Sequence, residues 1–166
     1  LVQASETYAL AANVENLTLT GTGAINGSGN ALGNILTGNS GINILTGGAG
    51  NDAYFVSSGD TTVELAGGGI DMVQSAITWT LAANVENLTL TGTSAINGTG
   101  NAADNVLTGN SAINILTGGA GNDTYLVDNA GDIVVEGLNE GTDTIYSIVS
   151  YTLGVNQEHA ELSGVD

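Results

Sequence analysis

The sequence of 166 residues contains no cysteine, no proline, no lysine and no arginine. Without cysteine, neither disulfide bonds nor thiolate-bound zinc can hold the fold together. The 17 aspartates and glutamates give a formal net charge of −17, and one histidine is the only side chain that could offset it. Binding to nucleic acid or to an anionic membrane requires basic groups. The composition therefore predicts no nucleic-acid partner and no direct membrane binding, and it makes bound cations the natural counter-charge.

Aromatic residues are also scarce, at 4% of the chain, but 42% of the residues are hydrophobic. That hydrophobic fraction is too high for a disordered chain. No apolar run approaches the roughly 18 residues that span a membrane. With one histidine and no lysine, arginine or cysteine, few sets of nucleophile, base and oxyanion donor can be built. The composition therefore predicts a folded protein that is not an enzyme.

Glycine and repetition are what the chain has in excess, with 26 glycines in all. The segment Thr7–Thr22 recurs almost unchanged at Thr78–Thr93, and the copy then keeps the same spacing until one inserted residue near Asn129. We therefore expect a single β-solenoid over residues 1–166, built from internal repeats 1–71 and 72–143 and a partial third repeat, 144–166.

A shorter period of nine residues lies inside each large repeat. Each nine-residue unit has a glycine-rich half, an Asn or Asp at its sixth position and a large apolar residue at its eighth. Glycine, Asn and Asp allow tight turns, and the next three residues are extended with one side chain pointing inward. Two units make one coil of about 18 residues, and stacked coils pair their strands in parallel. The fold class predicted is all-β, a parallel β-roll or β-solenoid. The units are Gly29–Thr37, Gly38–Thr46, Gly47–Phe55, Gly100–Thr108, Gly109–Thr117 and Gly118–Leu126.

One segment in each repeat lacks this glycine-rich pattern and alternates apolar and polar residues instead. It covers residues 73–81, and its copy covers residues 145–153. Alternation with a period of two is typical of a strand with one buried face. We therefore expect a nine-residue strand in each segment.

Gly47–Asp52 and Gly118–Asp123 both read G-G-x-G-x-D. These motifs resemble the calcium-binding nonapeptide of the RTX (repeats-in-toxin) family, and the resemblance covers nearly the whole chain. It implies that several Ca²⁺ ions are held in glycine-rich turns between neighbouring coils, by backbone carbonyls and by the Asp carboxylate. Oxygen ligands of this kind suit Ca²⁺, which accepts six to eight of them in loose geometry. The carbonyl candidates are Gly48, Gly50, Gly119 and Gly121, and the carboxylate candidates are Asp52 and Asp123.

Looser copies of the motif extend the set of candidate ligands. A site needs two turns on the same side of the solenoid, and such turns are one full coil apart along the chain. The pairs Asp52–Asp71 and Asp123–Asp143 are therefore our first choice, and Asn43–Asp60 and Asn114–Asp132 are the second. Glutamates seven residues before Asp71 and Asp143 can enter the same turns. The further candidates are Asp60, Glu64, Gly69, Asp71, Asp132, Glu136, Gly141 and Asp143.

Asparagine occupies the Asp position of the motif in four of the nine-residue units. An amide offers one neutral oxygen, so these turns either bind Ca²⁺ weakly or use hydrogen bonds from Asn to the backbone instead. Both alternatives remain open from the sequence. The four residues are Asn34, Asn43, Asn105 and Asn114.

Three functional interpretations follow. The leading one is a non-catalytic, secreted, calcium-stabilised β-solenoid that forms a structural unit of an extracellular fibre or matrix at the bacterial cell surface, with copies associating end to end. The alternative is an RTX folding and secretion module of a larger toxin, enzyme or adhesin that leaves the cell by type I secretion. The third is an ice- or glycan-binding solenoid with an outward row of threonine and asparagine. Paired carboxylates could serve a glycosidase, but acids that recur with the repeat favour a structural role.

Overall fold

The computed structural model describes residues 1–163, and within that range it contains strands and turns but no helix. The predicted all-β, parallel solenoid is therefore confirmed. The chain divides into two compact units: unit 1 comprises residues 1–75 and 82–85, and unit 2 comprises residues 76–81 and the chain from residue 86 onward. The main division falls within a few residues of the predicted repeat boundary at 71/72. Whether residues 1–166 form a single solenoid, as the sequence suggests, stays a prediction.

Unit 1 contains one sheet of five strands, in the order β1-β3-β5-β7-β9, and a second sheet of four, in the order β2-β4-β6-β8. All pairs in both sheets are parallel. Successive strands alternate between the sheets, so each pair of strands completes one coil. The strands are β1 (Val2–Ala4), β2 (Tyr8–Ala9), β3 (Asn16–Leu19), β4 (Gly27–Ser28), β5 (Ile35–Thr37), β6 (Ile44–Thr46), β7 (Ala53–Val56), β8 (Thr61–Val63) and β9 (Met72–Ser75).

Unit 2 repeats this arrangement. Its longer sheet runs β11-β13-β15-β17-β18 and its shorter sheet runs β10-β12-β14-β16, again with parallel pairs throughout. The strands are β10 (Trp79–Thr80), β11 (Asn87–Leu90), β12 (Gly98–Thr99), β13 (Val106–Thr108), β14 (Ile115–Thr117), β15 (Thr124–Val127), β16 (Ile133–Val135), β17 (Thr144–Ser147) and β18 (His159–Leu162).

The core of each unit consists of inward-pointing side chains that stack from coil to coil on both sheets. In unit 1, Leu36 of β5 pairs with Tyr54 of β7, which pairs with Val73 of β9. All three side chains are fully buried. Each step in this stack spans two nine-residue units or one residue more, which agrees with the predicted coil length. Neighbours on either side of each buried residue point outward because side chains alternate along a strand.

The predicted nine-residue strands are wrong. In unit 2 the strand that begins at Thr144 ends at Ser147, and residues 148–153 contain no strand. The same break separates β9 from β10 and β1 from β2. A nine-residue strand would extend about 30 Å, whereas each coil must turn after three or four residues to reach its other sheet. The apolar alternation in these segments therefore continues across a corner.

Two sets of turns connect the sheets. We call A turns those that lead from the shorter to the longer sheet, and B turns those that lead back. The A turns include Gly29–Asn34, Gly47–Asp52, Glu64–Asp71, Gly100–Asn105, Gly118–Asp123 and Glu136–Asp143. The B turns include Gly38–Asn43, Ser57–Asp60, Gly109–Asn114 and Asp128–Asp132.

A hydrogen-bonded ladder runs from coil to coil along these turns. The N–H of Asn34 donates to Oδ1 of Asp52 at 2.6 Å, and the N–H of Asp52 donates to Oδ1 of Asp71 at 2.7 Å. In unit 2 the N–H of Asp123 donates to Asp143 in the same way at 2.8 Å. The final residue of each of these turns thus receives its hydrogen bond from the preceding coil, which places successive Asp side chains one above the other.

Candidate metal centres

Each unit contains one cluster of three buried carboxylates in the described part of its A turns. Unit 1 brings together Asp52, Glu64 and Asp71, and one carboxylate oxygen from each lies within 4.8 Å of the others. These side chains are 2%, 8% and 0% exposed. Unit 2 builds the equivalent cluster from Asp123, Glu136 and Asp143. The two first-choice Asp pairs, with the glutamate proposed to join each, therefore meet in space.

The clusters carry an electrostatic cost that the chain itself cannot offset, because it contains no lysine or arginine. Two ionised carboxylates 4.8 Å apart repel each other by about 3 kcal/mol at an effective dielectric constant of about 20. Burial adds a desolvation penalty to each ionised group. Each cluster must therefore hold protons or a cation.

The outer oxygens of Asp52 and Asp123 have no hydrogen-bond donor within the described chain. Oδ2 of each is buried and has no hydrogen-bond partner in residues 1–163, and the same is true of Oε2 of Glu136. Burial raises the pKa of Asp52 to about 7 and that of Asp123 to about 6, although a backbone N–H donated to each carboxylate lowers it. Burial also raises the pKa of Glu136 to about 7. These oxygens would accept a metal ion that displaces the protons.

A tyrosine contacts the glutamate of each cluster. Tyr54 donates its hydroxyl to Oε1 of Glu64, and Tyr125 donates to Oε1 of Glu136. Burial raises the pKa of both phenols, so both stay protonated and act as donors.

Gly47 lies against the unit 1 cluster. A Cβ atom at this position would collide with Glu64 Oε1, Asp52 Oδ2 and the Tyr54 hydroxyl. In unit 2, a Cβ on Gly118 would collide with Asp123 Oδ2 and the Tyr125 hydroxyl. Only glycine leaves room for the oxygens to converge at these two positions.

The clusters are also tied to the segment that follows them. Asn84 Nδ2 donates to the backbone carbonyl of Glu64 at 3.3 Å, and Asn156 Nδ2 donates to that of Glu136 at 3.2 Å. Both asparagines adopt the left-handed conformation, with φ of 64° and 59°. An αL asparagine thus fixes the backbone of each cluster glutamate.

Comparison with known proteins identifies the repeats that build these turns. Residues 28–63 and 99–134 match the RTX calcium-binding nonapeptide repeat, in four copies. The chain therefore contains RTX calcium-binding nonapeptide repeats. RTX repeats bind calcium in β-rolls, which agrees with the parallel solenoid and its glycine-rich turns. RTX repeat proteins are typically secreted by bacteria, and their repeat domains are generally non-catalytic.

A segment of 54 residues is 43% identical to part of Endo-1,3-1,4-beta-glycanase ExsH of Rhizobium meliloti (strain 1021). The match covers 32% of this chain and 11% of that relative. No solved structure matches the chain. No helix among the described residues has the length and apolar character to cross a membrane.

The acidic residues of the two clusters fit calcium, and Asp52 and Asp123 among them lie within the matched repeats. All the acidic groups offer hard oxygen ligands, which favour Ca²⁺, Mg²⁺ or Mn²⁺ over zinc. Ca²⁺ binds oxygens at about 2.3–2.6 Å and can therefore bridge oxygens up to about 5 Å apart. The oxygens of each cluster meet that limit, and three buried carboxylates supply the charge that a divalent cation needs.

The second-choice residues Asp60 and Asp132 lie in the B turns, and protein donors reach both of their oxygens. Asp60 Oδ1 accepts the N–H of Asn43 at 2.8 Å, and Oδ2 accepts the N–H of Ser57 at 2.7 Å. Asp132 accepts the N–H groups of Asn114 and Asn129 in the same manner. These two carboxylates are hydrogen-bonded turn caps, and neither belongs to a carboxylate cluster of the described chain. Their binding of calcium stays a prediction.

The predicted carbonyl ligands lie in the same A turns as the clusters. Gly48, Gly50, Gly119 and Gly121 all have positive φ angles, between 99° and 118°, as the tight turns require. Gly69 packs directly over the carbonyl of Gly50, and Gly141 over that of Gly121. Their role as calcium ligands remains a prediction.

The four asparagines at motif Asp positions make the hydrogen bonds that the second alternative describes. Asn43 Oδ1 accepts the N–H of Asn39 at 2.8 Å, while its Nδ2 donates to the carbonyl of Ile25 at 2.6 Å. The Nδ2 group of Asn39 in turn donates hydrogen bonds to the carbonyls of Thr20 and Gly23 in the previous coil. The side-chain amides of the asparagines thus supply the hydrogen bonds within these turns. The other three, each paired in this way with the asparagine four residues earlier, are Asn34, Asn105 and Asn114.

Sequence reasoning missed the residues that support each cluster: the two tyrosines, the first glycine of each motif and the αL asparagines. The sequence did contain one signal that could have identified the tyrosines. Within the nine-residue units, Tyr replaces Leu at the eighth position only in the two units that have Asp at the sixth.

Proposed function

We propose that this chain is a non-catalytic, secreted β-solenoid that calcium locks at two centres, one on each carboxylate cluster. The observation that carries the proposal is the buried Oδ2 of Asp52 and of Asp123, which has no donor in residues 1–163 and lies beside two further carboxylates. An ion that binds only the folded form stabilises it by mass action.

The same electrostatics explain how calcium would control folding. In chelator, repulsion within the clusters and among 17 acidic groups opposes the compact state. Extracellular calcium modules bind at about 10⁻⁴–10⁻³ M. The chain would therefore stay loose in a low-calcium cytosol and become ordered outside the cell.

Within this function, we favour the role of a folding and secretion module in a longer protein. RTX repeat proteins are typically secreted by bacteria. The chain spans only 11% of the glycanase that it matches, which supports a modular use of these repeats. The solenoid would order part of a secreted protein, while any catalysis would belong to other segments.

The test compares two pairs of aspartates that have the same chemistry and occupy equivalent positions in the two repeats. Asp52→Asn with Asp123→Asn removes a carboxylate from each cluster, whereas Asp60→Asn with Asp132→Asn changes the hydrogen-bonded caps of the B turns. Calorimetric titration of the native chain should give two strong calcium sites. The first double variant should lose at least 10-fold in affinity, and the second should keep the affinity and stoichiometry of the native chain.

Circular dichroism during the same titration should show β-structure increasing as the two sites fill. If calcium affinity falls in the Asp60/Asp132 variant but not in the Asp52/Asp123 variant, the metal binds in the B turns instead. No calcium binding by the native chain would reject the proposed function.

A structural unit of an extracellular fibre is the second candidate, and the strand β18 favours it. All four of its residues, His159–Leu162, are exposed, and β18 pairs with β17 as the last strand in the order of its sheet. An exposed strand edge can pair with another copy of the chain.

The fibre candidate predicts filaments at millimolar calcium, visible by electron microscopy. Ala160→Pro removes a backbone donor from β18 and should abolish them without changing calcium affinity. Purely monomeric sedimentation of the native chain would reject the fibre candidate and leave the module intact.

The outward threonine rows give less support to ice or glycan binding. On the longer sheet of unit 1, Thr18 pairs with Thr37, but the next residue in the row is Phe55. In unit 2, Thr108 is followed by Leu126. Neither row offers the regular repeat of hydroxyls that an ordered lattice of water or sugar would require.

A further inference from the structure

The tyrosines of β7 and β15 bring a polar hydroxyl to a position in the stack that is apolar in the neighbouring coils. Tyr54 and Tyr125 occupy the stack position held by leucine in the asparagine-containing units, such as Leu36 and Leu107. All four side chains are fully buried. Leucine or phenylalanine would meet the packing requirement alone, so the phenolic hydroxyl calls for a separate explanation.

The hydroxyl crosses the interior of the coil to reach a cluster carboxylate. Tyr54 belongs to the longer sheet, whereas Glu64 directly follows β8 of the shorter sheet. The phenol donates to Glu64 Oε1, and in unit 2 Tyr125 donates to Glu136 Oε1. The same pairing thus occurs in both units, between residues 10 and 11 positions apart.

The contact fixes one oxygen of the glutamate and directs the other. In unit 2, with Oε1 held by the phenol, Oε2 of Glu136 is buried and has no hydrogen-bond partner among the described residues. In unit 1 the phenol lies at the point of convergence itself, because a Cβ on Gly47 would touch the hydroxyl together with Glu64 Oε1 and Asp52 Oδ2.

We propose that Tyr54 and Tyr125 are positioning residues, whose hydroxyls orient Glu64 and Glu136 as ligands of the bound cation. This inference rests on the proposed function. A glutamate side chain has three rotatable bonds, and fixing it before the ion arrives reduces the entropy lost on binding. Groups that orient a metal ligand typically contribute 10- to 100-fold in metal affinity.

The test is Tyr54→Phe, which keeps the buried ring and removes only the hydroxyl. Calorimetric calcium titration should show the unit 1 site weakened about 10-fold, with the unit 2 site unchanged; Tyr125→Phe should give the reverse. Tyr146→Phe is the matched control, because Tyr146 is an exposed tyrosine of β17 outside both clusters. It should change neither site.

A double-mutant cycle separates positioning from packing. If the hydroxyl acts through Glu64, Tyr54→Phe should have no further effect on calcium affinity in a Glu64→Ala background. An equal loss in both backgrounds would overturn the inference, as would unchanged affinity in Tyr54→Phe itself.

The outcome for Asp52→Asn keeps the two proposals distinct. If that variant weakens calcium binding but Tyr54→Phe does not, the calcium centre stands and only the positioning role fails. If Asp52→Asn has no effect, the centre itself is rejected.

Discussion

At the scale of the residue, one side-chain atom distinguishes an A turn that ends in Asn from an A turn that ends in Asp. Asn34 and Asp52 follow each other on the ladder, and each accepts a backbone N–H through Oδ1. The second atom of Asn34 is an amide nitrogen, which donates to the carbonyl of Val14 at 3.3 Å. The second atom of Asp52 is an oxygen, which has no donor within residues 1–163. The amide satisfies its turn internally, whereas the carboxylate requires an ion or a proton.

Acidification should therefore substitute in part for calcium in stabilising the folded chain. Asp52, Asp123 and Glu136 have pKa values of about 7, 6 and 7 in the folded chain, each raised by burial. Between about pH 4 and pH 7 the folded state thus binds more protons than the unfolded state, so stability falls as the pH rises through this window. Circular dichroism in chelator should show more β-structure at pH 5 than at pH 8.

The same protons compete with the metal, so calcium affinity should rise between pH 5 and pH 8. Asp52→Asn with Asp123→Asn should flatten both dependences, since an amide does not titrate. A β-signal in chelator that grows with rising pH would contradict the raised pKa values.

At the scale of the element, a repeat contains turns held by asparagine hydrogen bonds beside turns that contain a carboxylate cluster. Asn43 is fully buried, and its side-chain amide bonds to Asn39 and Ile25. Asn114 makes the equivalent bonds with Asn110 and Ile96. Hydrogen bonds between protein groups hold these turns, so we expect their contribution to stability to be independent of calcium.

Asn43→Ala should therefore lower the free energy of unfolding at saturating calcium by about 1–3 kcal/mol, because it leaves buried backbone groups without partners. Its calcium affinity, measured by calorimetry on the folded chain, should equal that of the native chain. Urea unfolding at fixed calcium gives the first quantity. A calcium affinity reduced as far as in Asp52→Asn would mean that the asparagine turns also hold metal.

Local spacing was sufficient to predict the coil and the meeting of Asp52 with Asp71, because stacked parallel coils bring residues one coil apart in the chain into adjacency. It ranked the pair that contains Asp60 behind the pair that contains Asp52, but it did not reveal the physical difference between the two carboxylates. That difference arises from nearby donors: Ser57 reaches the second oxygen of Asp60, and no donor in residues 1–163 reaches that of Asp52.

The spacing of residues along the sequence could not predict contacts between side chains across the interior of a coil. The phenol of Tyr54 meets Glu64 only because the two sheets pack at a particular register, which the sequence period leaves undetermined. The corner after Ser147 could not be predicted for a related reason. The alternation of apolar and polar residues continues beyond the end of β17, into residues that are not part of the sheet.

At the scale of the whole molecule, charge is the dominant property. Two divalent ions would cancel only four of the 17 negative charges. The remaining negative charge would oppose the approach of other copies of the chain. The proposed ions would act on the few carboxylates whose burial makes repulsion strongest, so a small number of bound metals would decide whether the coils close.

The recurrence of the clusters also bears on how such a chain could lengthen. Each cluster appears once per repeat, together with the asparagine turns and the tyrosine of its own unit. Duplication of one repeat would add coils and ion sites in constant proportion. A longer array would consequently need more calcium in total but the same free concentration to close each unit.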